Sequence, residues 1–252
     1  IILERGASVD ERNEEIQKFW KQGVLNPQTN ISFGEGGAGT FSDGKLNTLV
    51  KDSDGRNREV LRIFVEAGAP EDIMYEAKPH IGTDVLVLVL QNMRHQIEEW
   101  GGTYQFQSKV TGFIFEQNQV KGVRLSDESI IETENVILAI GHSARDTFEM
   151  LNAQHFNMEA KSFAVGLRVE HPQSMIQKSQ YGDQREDLLP ASYKLAGKGR
   201  NQRGVYSFCM CPGGYVVDAS SENLRLAING MSERARDSKN ANSAIIVAVT
   251  PE

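Results

Sequence analysis

The chain has 252 residues, of which 39% are hydrophobic and 24% are charged, the composition of an ordinary globular protein with room for a sizeable core. Its formal net charge of −7 argues against nucleic acid and anionic membranes as partners. The apolar run at residues 85–90 is far too short to span a bilayer. We therefore expect no nucleic acid and no membrane as partner, and a small molecule as substrate.

Cysteine usage predicts a reducing compartment. Cys209 and Cys211 are the two cysteines and are separated by one residue. Cys-x-Cys spacing rarely suits a disulfide, and two thiols without nearby His or Cys ligands make a poor zinc site. We therefore expect a cytoplasmic protein without a metal site.

The chain opens with an apolar strand at residues 1–3 that ends in Glu4. Apolar periodicity predicts helices at residues 10–22, 58–67 and 83–100. Short strands are expected at 103–109, 110–116 and 120–125, with a weaker candidate at 128–133. An apolar strand at 135–140 then leads through Gly141 and His142 into a short helix that starts at Ala144. After residue 161 the predicted strands lie at 162–170, 205–209, 215–218 and 243–249.

A dense glycine run follows the first predicted helix. Gly34, Gly36 and Gly39 match the dinucleotide fingerprint G-x-G-x-x-G, which is meaningful only between a strand and a helix. Here the residues after Gly39 are typical of a loop, and Glu35 would add a carboxylate beside a pyrophosphate. The run is therefore rejected as the primary phosphate loop.

Glu4 fits the other half of that fingerprint. A carboxylate at the carboxyl end of a parallel strand can accept the hydroxyls of an adenosine ribose, although a solvated surface Glu is the simpler interpretation of this residue alone. The glycine loop should lie about 20 residues before the acid, yet only three residues precede Glu4. We therefore expect a fragment that lacks its first strand and phosphate loop.

This order of elements resembles the FAD-binding domains of the glutathione-reductase type. Four local sequences are also similar to a bacterial family of uncharacterised FAD-dependent dehydrogenases described as NAD(FAD)-utilising. They lie at residues 33–48, 139–146, 209–214 and 229–232. The resemblance covers nearly the whole chain, and the first of these motifs is the most specific.

The resemblance implies a set of FAD contacts. Glu4 would bind the adenosine ribose, and Arg5 would shape the turn beside it. The backbone of Val110 would pair with the adenine edge. A strand end at Ala139, Ile140 and Gly141 would pass under the dinucleotide. The residues expected to wrap the pyrophosphate and the flavin end are Gly36, Gly37, Gly39, Thr40, Phe41, Ser42, Asp43, Gly44 and Lys45.

Catalytic residues are harder to predict, because the flavin itself carries the hydride chemistry. Cys209 and Cys211 are candidates for a redox pair near the flavin, with inert buried thiols as the simpler alternative. His142 is a candidate for a flavin-side hydrogen bond or proton donor. Arg168 lies on an otherwise apolar strand and would bind an acidic substrate or pair with Glu170 or Asp218.

The fold expected from these observations is α/β. An incomplete FAD/NAD(P)-binding Rossmann-like domain with an inserted three-stranded β-meander would occupy residues 1–160. Part of a mixed α+β substrate domain would occupy residues 161–252. Because the first phosphate loop and the late glycine motif beside the flavin ring are absent, we expect this fragment to bind FAD weakly or not at all and to be inactive alone.

The resemblance implies an FAD-dependent oxidoreductase, a dehydrogenase that transfers hydride between a nicotinamide or organic substrate and the flavin, with NAD(P)H as electron donor. Two alternatives stay open. One is a flavoprotein monooxygenase or ene-reductase. The other is a non-catalytic nucleotide-binding module, since every specific motif found is a binding motif.

Overall fold

A computed structural model describes residues 1–46, 48, 51–182 and 187–251. The helices are α1 Val9–Gln22, α2 Arg56–Glu66, α3 Thr83–Glu99, α4 Arg145–Ala153 and α5 Gln173–Tyr181. The first strands are β1 Ile2–Leu3, β2 Tyr104–Gln105, β3 Val110–Glu116, β4 Gln119–Leu125 and β5 Ile130–Glu132. The later strands are β6 Phe163–Pro172, β7 Ala196–Lys198, β8 Gly204–Cys211, β9 Tyr215–Asp218, β10 Ile228–Met231 and β11 Asn240–Val249.

The chain divides into two compact units. The first unit comprises Ile1–Gly37, Arg94–Ala160 and Ser220–Arg225, and the second comprises Ala38–Met93, Lys161–Ala219 and Leu226–Glu252. The domain boundaries expected from the sequence, 1–160 and 161–252, stay a prediction. None of the helices in the described residues is long and apolar enough to cross a membrane.

The first unit is built on a short parallel pair, in which β1 lies beside β2. Helix α1 follows β1 and buries Val9 and Ile16. The helix ends at Gly23, whose φ of 71° is a left-handed conformation that glycine adopts without a side-chain clash. Helix α1 therefore begins and ends close to where its amphipathic pattern predicted.

A three-stranded antiparallel sheet follows in the order β3-β4-β5. This is the expected meander, but its third strand is the weaker candidate near residue 130. The segment predicted as a strand at 103–109 contributes only Tyr104–Gln105, which pairs with β1 instead. Phe113, Val123, Leu125 and Leu151 form the buried core between this sheet and α4, and Leu3 packs against it.

The strand predicted at residues 135–140 is wrong, because this segment forms no strand within the described part of the chain. Its apolar side chains face solvent: Ile137 is 94% exposed, and Val136 and Leu138 are 38% and 47% exposed. A strand is defined by pairing with a neighbour. A parallel strand buried on both faces is predicted from its apolar residues alone, and those residues carry no information on whether a partner is present.

The second unit contains an antiparallel sheet in the order β6-β11-β8-β7 and a hairpin of β9 and β10. Helices α2 and α3 lie before this sheet in the chain. The prediction that the apolar run near residue 85 belongs to a helix is confirmed, because Thr83–Glu99 is helical. The residues buried around these helices are Ala67, Ala69, Ile73, Ile81 and Val89.

Candidate functional site

Glu4 lies at the carboxyl end of β1 and contacts the glycine-rich loop. Its Oε1 atom accepts a hydrogen bond of 2.8 Å from the backbone N–H of Gly6 and another of 3.0 Å from the N–H of Gly34. A carboxylate that accepts two backbone N–H groups forms strong, charge-assisted bonds. The acid and the start of the glycine loop are therefore adjacent within the first unit.

The backbones approach each other closely here, which explains two glycines. A Cβ on Gly6 would lie 2.7 Å from the Cα of Gly34. A Cβ on Gly34, which has a φ of 121°, would lie 2.4 Å from the Cδ of Arg12. These two glycines are required by packing, whereas a Cβ on Gly37 would meet nothing within 4 Å.

Arg12 holds the backbone of the glycine loop from its buried side. Its guanidinium is fully buried and donates to the carbonyl oxygens of Asn30, Ile31, Glu35 and Gly37. Burial lowers the pKa of Arg12 to about 10, although the charges of Glu4 and Glu35 oppose the shift. This role of Arg12 is not predictable from the sequence, because an Arg in an amphipathic helix ordinarily lies on the exposed face.

Glu35 points into the protein rather than toward the outer face of the loop. Its Oε2 accepts a hydrogen bond of 2.7 Å from the N–H of Val9, at the amino end of α1, and one of 2.9 Å from Arg94. The carboxylate therefore occupies the positive end of the helix dipole. Burial raises the pKa of Glu35 above its ordinary value, in spite of the Val9 bond and the Arg94 charge.

A second ion-pair cluster lies beside the end of β1. Arg5 binds both carboxylate oxygens of Asp146, at 2.9 Å and 3.0 Å, and Lys109 lies 2.6 Å from the same carboxylate. The Arg5 guanidinium also stacks 4.2 Å from the ring centre of Phe33. Burial would raise the pKa of Asp146, but the hydrogen bonds from Arg5 and Lys109 outweigh it and hold the pKa below its ordinary value.

The other predicted contacts of the first unit are more exposed. Val110 starts β3 and pairs with Leu125. Ala139 and Gly141 are exposed, and Ile140 is half-buried against the core of the unit. His142 is exposed, and its Nδ1 lies 2.8 Å from the hydroxyl of Ser143.

In the second unit, Asp43 is the centre of a buried polar cluster. Its carboxylate is 1% exposed, lies 2.9 Å from Lys45 and 2.6 Å from Arg236, and accepts a hydrogen bond from Ser232. Burial alone would raise the pKa of Asp43, but the two cations and the Ser232 bond lower it overall.

The residues around Asp43 are held by local bonds. The Ser42 hydroxyl donates to the carbonyl of Gly39 at 2.7 Å and accepts from the N–H of Gly44 at 3.2 Å. Thr40 and Phe41 are almost fully buried, and the Thr40 hydroxyl has no hydrogen-bond partner among the described residues. Asn47, near the end of the same motif, lies outside the described residues.

The two cysteines also lie in the second unit, near Lys45. The Lys45 ammonium donates to the carbonyl oxygen of Met210 and lies 3.7 Å from the sulfur of Cys211. Arg168 donates to the carbonyl oxygen of Cys209 at 3.3 Å and to the side chain of Asn242. These two bonds hold Arg168 beside β8, and its pairing with Glu170 or Asp218 stays a prediction. No group of three or more metal-ligating side chains comes together in the part of the chain that the structure describes.

The predicted site residues therefore fall into two groups. The first unit brings Glu4, Arg5 and the start of the glycine loop together, with Val110, Ala139, Ile140, Gly141 and His142 elsewhere on the same unit. The second unit holds the rest of the loop with both cysteines. The roles assigned to these residues stay predictions.

Comparison with known proteins adds a relationship to flavoproteins. Residues 162–252 match a family described as "FAD-dependent protein, C-terminal domain-like". The chain is also similar to an uncharacterised protein of Clostridium beijerinckii (strain ATCC 51743 / NCIMB 8052), with 49% identity over 255 residues that cover 100% of this chain and 47% of the relative. The chain thus spans about half the length of that relative.

Taken together, the fold is a mixture of helices and several sheets, and its C-terminal part is related to FAD-dependent proteins. That relationship supports a flavoprotein.

Proposed function

We propose that the protein is part of an FAD-dependent oxidoreductase that transfers hydride between a nicotinamide or an organic substrate and the flavin. The observation that carries this proposal is the pair of hydrogen bonds from Gly6 and Gly34 to one oxygen of Glu4. They place an acid at the carboxyl end of a parallel strand, where dinucleotide sites bind the ribose, next to a second glycine-rich loop that is not the primary phosphate loop.

The residues fit the adenosine end of FAD in their chemistry. Oε1 of Glu4 takes part in both backbone bonds, so the proposal assigns Oε2 to the ribose hydroxyls. Gly37 has a φ of 64° and open space where a side chain would be, so a phosphate can approach this part of the loop. The N–H of Gly37 itself donates to the carbonyl oxygen of Gly34. Glu35 is bonded inward to Val9 and Arg94, which removes the carboxylate that argued against a phosphate at this loop.

Arg5 and Lys109 supply positive charge next to this position. Both are bonded to Asp146, so their charge is partly neutralised and their side chains are fixed. In this proposal they orient the nucleotide rather than act on it chemically. The flavin would supply the hydride chemistry, and His142 would lie on the substrate side as a hydrogen-bond or proton donor.

The test is an absorbance spectrum of the intact, full-length protein followed by anaerobic titration with NADH and with NADPH. A visible flavin absorbance band that one nicotinamide bleaches supports the proposal. Bleaching that requires an organic substrate together with the nicotinamide would favour a monooxygenase. A bound flavin that neither nicotinamide reduces would favour the non-catalytic nucleotide-binding module.

A further inference from the structure

The two cysteines lie on an irregular part of β8. Asn242 of β11 pairs with Cys211 and Ala244 pairs with Phe208, so two residues of β8, Cys209 and Met210, face one residue of β11. This is a β-bulge. Cys209 has a φ of 46°, a left-handed conformation that costs energy for a residue with a side chain and that is concentrated at functional sites.

At the bulge the Cys211 thiol contacts the backbone of Cys209. In a regular strand, residues two apart have Cα atoms about 6.7 Å apart, which is the upper end of the range that a disulfide spans. This is why Cys-x-Cys spacing argues against a disulfide. The bulge relaxes that limit. The Cys211 thiol donates to the carbonyl oxygen of Cys209 at 3.4 Å, so its sulfur lies against the residue with which it would form the disulfide.

Positive charge surrounds the pair. Lys45 lies 3.7 Å from the sulfur of Cys211, and Arg168 binds the carbonyl oxygen of Cys209. Lys45 is also paired with Asp43, whereas the Arg168 guanidinium donates to two uncharged acceptors, the carbonyl oxygen of Cys209 and the side-chain oxygen of Asn242. Arg168 therefore brings a positive charge next to the thiols.

Two further donors lie in the same cluster without acceptors. Nε of Arg168 and Nδ2 of Asn242 are buried and have no hydrogen-bond partner among the residues that the structure describes. A buried donor without an acceptor is costly, and such groups in native proteins usually have a functional reason. An environment with more donors than acceptors favours an anion, here a thiolate.

Gly230, in the hairpin of β9 and β10, packs against this cluster. A Cβ at this position would lie 2.8 Å from the sulfur of Cys211 and 2.4 Å from both Arg168 and Asn242. Any side chain here would displace the thiols or the cation. The absence of a side chain at Gly230 is thus required for the close packing of sulfur, guanidinium and amide.

We propose that Cys209 and Cys211 form a dithiol–disulfide couple that reduces a small-molecule disulfide. Cys209 is partly exposed and is the attacking thiol, whereas Cys211 is fully buried and is the resolving thiol. The contact with Cys211 and the charges of Lys45 and Arg168 lower the pKa of Cys209 below its ordinary value. Burial and the same thiol contact raise the pKa of Cys211.

The chemistry balances without any other group. The Cys209 thiolate attacks one sulfur of the substrate R–S–S–R′, forms a mixed disulfide and expels R′S⁻. Cys211 loses its proton to solvent as its sulfur becomes the next nucleophile. The Cys211 sulfur then attacks the Cys209 sulfur, forms the internal disulfide and expels RS⁻, which is protonated by solvent. Two electrons pass from the protein dithiol to the substrate. The step needs no flavin and is independent of the function proposed above.

The experiment uses the reduced chain and the aromatic disulfide 5,5′-dithiobis(2-nitrobenzoate), whose released thiolate is coloured. The chain has no other cysteine. We expect about two equivalents of thiolate per chain and a protein mass lower than that of the reduced chain by about 2 Da, which marks an internal disulfide. A product that carries the aromatic thiol on one or both cysteines would overturn the proposal.

Single-cysteine variants assign the roles. Cys211→Ser should release about one equivalent and keep a stable adduct on Cys209, whereas Cys209→Ser should react at least about tenfold more slowly, because Cys211 is buried. Equal rates for the two variants would contradict the assignment. Arg168→Gln should shift the midpoint of the pH profile for alkylation of Cys209 upward, and Arg168→Lys should restore it. An unchanged profile in Arg168→Gln would exclude Arg168 as the stabilising charge.

A parallel reaction with hydrogen peroxide tests the class of oxidant. We expect the internal disulfide to form faster with the small disulfide than with peroxide at equal concentration. If peroxide oxidised the pair and the disulfide did not, the proposed class of substrate would be wrong.

Discussion

One oxygen of Glu4 lies 3.0 Å from the backbone nitrogen of Gly34 and also accepts the N–H of Gly6. Thirty positions separate Glu4 from Gly34 in the sequence. Helix α1 lies between Glu4 and Gly34 in the chain, so this hydrogen bond is a tertiary contact. It is the structural basis for treating the acid and the glycine loop as parts of one site.

The first prediction concerns the stability that this carboxylate contributes. Glu4→Ala leaves two backbone N–H groups without their acceptor, and we expect it to lower the free energy of unfolding by about 2 kcal/mol. Glu14→Ala is the matched control, because Glu14 is exposed on α1 and its loss should cost less than about 0.5 kcal/mol. Urea denaturation measures both. Equal losses in the two variants would mean that the Glu4 bonds carry no stability.

The second prediction separates two reasons for a glycine. Gly37 and Gly44 both have a φ of 64°, but a Cβ on Gly44 would lie 2.9 Å from the nitrogen of Gly82, whereas one on Gly37 would meet nothing within 4 Å. Gly37→Ala should cost about 1 kcal/mol for its conformation, and Gly44→Ala should cost at least about 1 kcal/mol more for the clash. Thermal unfolding compares the two. If Gly44→Ala lost no more stability than Gly37→Ala, the backbone around residue 82 would have to move to make room for the added methyl group.

The third prediction is a pH dependence. Burial, together with the charge of Arg236, lowers the pKa of His80 to about 4 from 6.5. Between these values the unfolded chain binds a proton that the folded chain does not bind, so stability falls as the pH falls from about 6.5 to about 4. The loss should approach roughly 3 kcal/mol.

His80→Gln should flatten that part of the stability profile. His142→Gln is the control, because His142 is exposed and the variant should keep the wild-type profile. Urea titrations at a series of pH values measure the effect. A profile that is identical in the wild type and His80→Gln would refute this account of the pH dependence.

Much of the secondary structure follows from the sequence alone. In helices α1 and α3, apolar residues recur at helical spacing over many residues, and a glycine follows the end of each helix. Local sequence is enough to predict helices of this kind. The meander was also predictable from alternating apolar residues around short turns. The local sequence does not identify its third strand, because the choice between residues 103–109 and the segment near 130 depends on which strands pair with each other.

Long-range polar contacts could not be predicted. Arg12 and Arg94 look like surface charges on their helices, yet Arg12 binds four loop carbonyls and Arg94 binds Glu35. Burial of such a group depends on which distant backbone oxygens surround it. The same reasoning applies to Asp43, which the sequence suggested as a cofactor contact and which forms ion pairs with Lys45 and Arg236.

The most direct test of the central claim is hydrogen exchange of the chain with and without FAD at about 1 mM, a concentration that populates even a weak complex. The account predicts slower amide exchange in two peptides at once, one that contains Glu4 to Gly6 and one that contains Gly34 to Gly37. Glu4→Ala should remove the protection from both. Protection of only one of these peptides, or of neither, would contradict a shared nucleotide site.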